Sequence, residues 1–183
     1  MMIKKTVGLI LGGWVVASVW TMAQTTNVEP VVKSEKAIAI ISPLKGHSVR
    51  GVFRFEQLKK GVKVTALVTG LTPNQKHGVH VHEWGDLSDQ EKGMSAGGHY
   101  NPERNLHGLP PSPMRHAGAF GNLEANKHGE ATFVFIDDTI SVNGDYHPIL
   151  GRSVVIHEKE DTGEQPLGNA GGRIGFGVIG RLP

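Results

Sequence analysis

Alternation of apolar and polar residues with a period of two constrains this chain more than any other feature. In VKVTALVTG, Val62, Val64, Ala66 and Val68 fall on one side while Lys63, Thr65 and Thr69 fall on the other. That is the pattern of a strand with one buried face. Val49, Phe53 and Phe55 in SVRGVFRFEQ repeat it. Further strands are expected at 37–42 (AIAIIS), in HGVHVHE, and at 130–137, 153–158 and 173–180, each bounded by Gly, Pro, Asn or Asp. No segment carries a helical period. The pattern predicts an all-β chain: a Greek-key β-sandwich or flattened barrel of about eight antiparallel strands with long loops.

The ends read differently. Lys4 and Lys5 precede an uncharged run from Thr6 to Ala23 that finishes on small residues, so residues 1–23 are expected to be a cleaved signal peptide rather than a retained anchor. Residues 24–36 are polar and aperiodic and read as a linker, which leaves 37–183 as the folded domain. The expected destination is outside the cytoplasm, in a periplasm or the extracellular medium. Removing two lysines with the leader takes Lys plus Arg from 19 to 17, equal to the 17 Asp plus Glu. A near-neutral surface with no basic stripe excludes a nucleic-acid partner, and no membrane partner is expected once the leader is gone. Export would permit disulfides, yet the chain has no cysteine.

One connection, Trp84 to Gly118, is far longer than compact domains usually tolerate without a ligand or a function. It carries His99, His107 and His116, and follows HGVHVHEWGD, which holds His77, His80 and His82. On a strand, His80 and His82 share one face about 7 Å apart, and His77 faces the other way as an anchoring histidine beside the site. His157 ends another strand in VVIHEKED. This density of imidazoles without a thiol suits copper(II) or zinc, and six of them imply two metals.

GVHVHEWGD, SAGGHYNP, LHG, RHAGAFGN, GRSVVIHEKED and GNAGGRIGFGVIG resemble, in order and spacing, the copper/zinc superoxide dismutase family over 37–180. The resemblance implies an enzyme that converts superoxide to oxygen and hydrogen peroxide. It further implies that His80, His82, His99 and His157 hold copper, and that His99 bridges to a zinc also held by His107 and His116. Asp161 would be the carboxylate that orients one imidazole of each metal, and Arg173 the guanidinium that draws the anionic substrate to the copper. His99 and Arg173 are thus the expected catalytic residues, superoxide the small-molecule partner, and a homodimer the assembly the reading allows. The competing reading is a non-enzymatic copper-buffering protein on the same fold.

Three departures matter. Where the family has an aspartate as fourth zinc ligand, this chain has Ala119, so zinc is expected to bind weakly or not at all unless water, Glu124 or Asp86 completes the set. The family's disulfide positions correspond to Gly93 and Phe176, and packing of Phe176 is the expected substitute. The 158–172 connection keeps Lys159 but is poor in lysine, which predicts slower association with superoxide. Trp84, Met94 and Met114 are read as packing residues, His47 and His128 as solvated, and His147 as a surface residue.

Overall fold

A computed structural model describes residues 35–183. The expected leader and all of the linker up to residue 34 lie outside the described residues. Eight strands follow in order: β1 (Lys36–Pro43), β2 (Arg50–Gln57), β3 (Val62–Thr69), β4 (Lys76–His82), β5 (Ala119–Glu124), β6 (Ala131–Asp137), β7 (Ser153–His157) and β8 (Arg173–Arg181), with one short 3-10 turn at Met94–Ala96. They hydrogen-bond in the order β5-β4-β7-β8-β1-β2-β3-β6, all pairs antiparallel. Strands adjacent in sequence are separated in space at β3 to β4, where the chain crosses the molecule in Greek-key fashion.

The alternation works as the sequence predicts. Ala37, Ala39 and Ile41 of β1, Phe53 and Phe55 of β2, and Val62, Val64, Ala66 and Val68 of β3 point into one core. Aromatic rings draw the two ends of the strand order together: Phe120 of β5 lies 6.3 Å from both Phe55 and Phe135 of β6. The sandwich is therefore nearly closed into a barrel.

Strand β5 escapes the alternation pattern. Its sequence, AFGNLE, has three consecutive buried residues and a glycine at φ 80° in place of β-branched residues. Loop segments cover its outer side, so period-two burial is lost.

The connection from 83 to 118 folds back along β4 and is held by both backbone and side chains. Glu83 N–H donates to Gly98 O, and Trp84 N–H to Ala96 O, both at 3.0 Å, while Tyr100 N–H donates to Val81 O at 2.9 Å. The Glu83 carboxylate accepts from Gly98 N–H at 2.8 Å. Gly97, at φ 76°, lies so close to the Trp84 indole that a Cβ would stand 2.6 Å from a ring carbon. Trp84 is accordingly not a core residue: it is 60% exposed, against the packing role expected for it.

A second apolar cluster, Leu44, Ala96, Val155 and Phe176 with Leu87 against it, fastens this loop to β7 and β8. Phe176 is fully buried there. On the loop side, a Cβ at Gly93 would meet Leu44 Cδ1 at 3.0 Å, so Leu44 stands between the two positions where the family resemblance puts a disulfide. Burying a phenylalanine contributes about 1.5–3 kcal/mol, comparable to the roughly 2–4 kcal/mol of a disulfide.

Candidate metal centre

Six buried imidazoles converge where β4, β7 and the long loop meet: His80 and His82 from β4, His157 from the end of β7, and His99, His107 and His116 from the loop. His82 and His99 form an isolated bridge that brings loop and strand together. One potential ligand atom from each of His80, His82, His99 and His157 lies within 4.8 Å of the others, and the same holds for His99, His107 and His116. His80 and His99 stack with centroids 4.0 Å apart.

The outer hydrogen bonds of the rings decide which nitrogens face inward. His82 Nδ1 lies 3.0 Å from Gly97 O, and His157 Nδ1 lies 3.5 Å from Gly171 O. A carbonyl only accepts, so both Nδ1 atoms carry the proton and both Nε2 atoms are lone-pair acceptors. Those two Nε2 atoms face each other at 3.3 Å. His80 Nε2–H donates to Asp161 Oδ2 at 2.7 Å, which leaves His80 Nδ1 as a lone pair, buried with no hydrogen-bond partner. His107 Nε2–H donates to both oxygens of Asp161 at 2.9 Å, so its Nδ1 turns inward as well. There it meets His116 Nδ1 at 3.4 Å, and His99 Nδ1 lies 3.2 Å from the same atom.

Lone pairs crowded in this way repel one another unless a cation or proton lies between them, and a proton is disfavoured here. Burial is the main reason that His80, His82, His99, His157 and His116 all hold protons less tightly than a free imidazole, with repulsion from neighbouring rings adding to it. His157 is pushed down to about 3 and His116 to about 4. Neutral, inward-facing imidazoles fit a borderline-soft divalent ion, so the residues present suit copper and zinc.

One buried carboxylate orients both groups. Burial opposes ionisation of Asp161, but hydrogen bonds from His107, His80 and Gly163 N–H outweigh it and hold the carboxyl well below its usual range. Gly168, at φ 74°, closes over it so tightly that a Cβ would collide with Asp161 Oδ1. Asn122 completes the cage: its side chain accepts from Asp161 N–H at 2.7 Å and donates to Asp161 O at 2.9 Å.

No carboxylate among the described residues joins the His99, His107 and His116 group. Ala119 is buried at the start of β5, and neither expected substitute reaches the site. Glu124 lies 3.8 Å from Lys76 Nζ at the exposed surface, and Asp86 accepts from Ser88 N–H at 2.8 Å. Arg152, whose direction the sequence leaves open, turns away from the site to donate to Glu83 O and Pro148 O, 3.5 Å over the Tyr100 ring.

Arg173, at the start of β8, donates from Nη1 to Gly93 O and from Nη2 to Gly97 O, the latter at 2.6 Å. It thereby clamps both ends of the Met94–Ala96 turn. With His82, His99 and His157 it lines a pocket of about 670 Å³ that opens to solvent. The guanidinium is close enough to disfavour protonation of His82 and His157. His77 is buried on the far side of β4, with Nδ1–H donating to His157 O at 2.9 Å.

Comparison with known proteins adds the following. The copper/zinc superoxide dismutase (SODC) family profile matches residues 49–179. A protein of Paramecium bursaria Chlorella virus 1 named superoxide dismutase [Cu-Zn] is 42% identical over 167 residues, covering 87% of this chain and 86% of its own. The extracellular superoxide dismutase [Cu-Zn] of Drosophila melanogaster is 41% identical over 176 residues, covering 90% and 92%. Superoxide dismutase [Cu-Zn] 5 of Dictyostelium discoideum is 38% identical over 151 residues, covering 78% and 97%.

Proposed function

The chain belongs to the copper/zinc superoxide dismutase family, and from that premise we propose how its residues divide the work of removing superoxide. The activity is the disproportionation of two superoxide anions and two protons to oxygen and hydrogen peroxide. Copper would be held by His80 Nδ1, by His82 Nε2 and His157 Nε2, and by His99; zinc would be held by the Nδ1 atoms of His99, His107 and His116. Bound copper supplies the one-electron acceptor and donor that the two half-reactions need.

The remaining roles belong to the chain. Arg173 presents a fixed positive charge in the lining of an open pocket, where an incoming anion is attracted and oriented. Its two bonds to the loop keep that charge from swinging away. Asp161 fixes the rings of His80 and His107 and so couples the two groups. Gly97 O and Gly171 O fix the tautomers of His82 and His157. His77 anchors the backbone that carries His157.

The single observation that carries this reading is the set of inward lone pairs, including the unpartnered His80 Nδ1, beside an open pocket that contains a guanidinium. A passive copper store has no use for that opening. With Ala119 in place of a carboxylate, only the three imidazoles of His99, His107 and His116 would hold zinc, which would be bound less firmly than copper. The protein works outside the cytoplasm after losing residues 1–23; support comes from the leader's composition and from the relative named extracellular. No helix among the described residues is long and apolar enough to cross a membrane. A second copy is the proposed partner, supported by the apolar row across β1, β2 and β3 in which exposed Ile40 and Leu67 flank half-buried Val52. Metal quantification on the purified protein, paired with superoxide consumption before and after adding zinc, tests the reading. Activity that follows copper content is expected; a protein with one copper per chain that leaves superoxide untouched would overturn it.

A further inference from the structure

Met94 has no role in the scheme above and does not pack into the loop as the sequence predicts. It is 61% exposed and borders the same pocket as His82, His99 and His157. The only other methionine among the described residues, Met114, is exposed as well but does not border that pocket. His47 faces the pocket from the turn between β1 and β2.

Both side chains stand on well-held turns. Met94 N–H donates to Asp89 Oδ2 at 2.8 Å, and Arg173 grips the carbonyls on either side of the Met94–Ala96 turn. The His47 turn is tied to the same loop: Lys45 N–H donates to Gln90 O at 2.9 Å, Lys45 Nζ bonds Glu91 at 2.5 Å, and Leu44 packs with Ala96 and Phe176. A thioether and an imidazole therefore share the lining of one opening with His82, His99 and His157. Lys92 and Arg173 line the same opening together with Glu91, whose carboxylate is already paired with Lys45 Nζ, so the described lining offers a hard cation no unpaired carboxylate. Copper(I) is drawn by bonding to soft donors, and in a chain without cysteine the thioether is the softest available.

We propose that Met94 Sδ and the His47 imidazole form a receiving site for copper(I) at the pocket rim, from which the ion passes inward to His82, His157 and their neighbours. Transfer is ligand exchange alone: each step replaces one Cu–S or Cu–N bond with another Cu–N bond, and copper stays in the +1 state throughout. The inference rests on the copper reading of the imidazole cluster.

Two measurements test it without reference to activity. In protein whose imidazole cluster is already filled with zinc and whose methionines carry a 13C-labelled methyl, silver(I) serves as a redox-inert probe. The Met94 methyl signal is expected to move while that of Met114 stays; equal movement of both at the same silver concentration would overturn the proposal. In metal-free protein, uptake of copper(I) from its bathocuproine disulfonate complex is followed by loss of the complex's colour. Met94→Leu keeps volume and apolar character at an exposed position. This variant and His47→Gln are each expected to load about tenfold more slowly, equivalent to about 1.4 kcal/mol, while copper(II) uptake and final copper content stay unchanged. Loading at the parent rate in both variants would refute the rim site. Slowed loading in a protein that leaves superoxide untouched would strike the enzymatic reading and spare this one.

Discussion

Asp161→Asn is the substitution that most sharply separates one coupled centre from two independent ones. Asp161 is 1% exposed and accepts from His80 Nε2 at 2.7 Å, from His107 Nε2 at 2.9 Å and from Gly163 N–H at 2.8 Å. Asparagine keeps one acceptor oxygen and replaces the other with a donor. With the amide nitrogen at the Oδ2 position it opposes His80 Nε2–H; at the Oδ1 position it opposes Gly163 N–H. Either way one contact becomes donor against donor, and the surviving bonds lose the charge that strengthens them. Hydrogen bonds to a charged group contribute about 1.5–3 kcal/mol and neutral ones about 0.5–1.5. Each surviving bond therefore weakens by about 1–1.5 kcal/mol and an opposed one is lost outright, and loss of such an orienting partner typically costs about 10–100-fold in metal affinity. Because His80 belongs to one group and His107 to the other, copper and zinc affinities are expected to fall together. Competition titrations against chelators of known strength, with each metal in turn, measure this. Affinities for both metals within twofold of the parent would refute the claim that this carboxylate sets ring orientation.

Other expectations follow from the same contacts. Phe176→Ala empties a fully buried site between Leu44 and Val155 and is expected to cost about 3–5 kcal/mol in urea unfolding; hydrogen exchange across 84–118 should accelerate in the metal-free variant, and a cost below about 1 kcal/mol would show that the cluster does not substitute for a disulfide. Ala119→Asp is expected to retain zinc through dialysis against a chelator that strips the parent, and to destabilise the metal-free protein by burying an unpaired carboxylate; zinc retention equal to the parent's would refute the view that position 119 limits it. For the metal-free protein, His157 at about 3 and His116 at about 4 lie below the ordinary 6.5, so the unfolded chain takes up protons first as pH falls. Stability should drop steadily from pH 6.5 toward pH 4, by about 1.4 kcal/mol per pH unit for each fully suppressed histidine; a melting temperature unchanged over that range would contradict the sign.

The strands with clean alternation, β1, β2, β3 and β6, were legible because one face of each meets the core, and burial there copies the period-two pattern. Strand β5 was not, since loop coverage buries its other face and Gly121 breaks the pattern. The gathering of histidines could be read from His-x-His spacing and the loop's content. Which nitrogen of each ring faces inward could not, because Gly97 O, Gly171 O and Asp161 decide it from far along the chain. The grip of Arg173 on Gly93 and Gly97 spans 80 and 76 residues and leaves no local mark. Trp84 and Met94 mislead a sequence reading for one reason: apolar residues are assumed to be packed, and these two stand at the rim of an open pocket or beside a glycine-tight turn.

X-ray absorption at the copper edge of the copper(II)-loaded protein tests the central claim most directly, because it counts the imidazoles around the ion. Scattering from His80, His82, His99 and His157, four imidazole nitrogens in all, with further change when azide is added, is the predicted result. Fewer imidazoles, a shell dominated by oxygen or sulfur, or indifference to azide would contradict a copper held by these histidines and open to an anion beside Arg173.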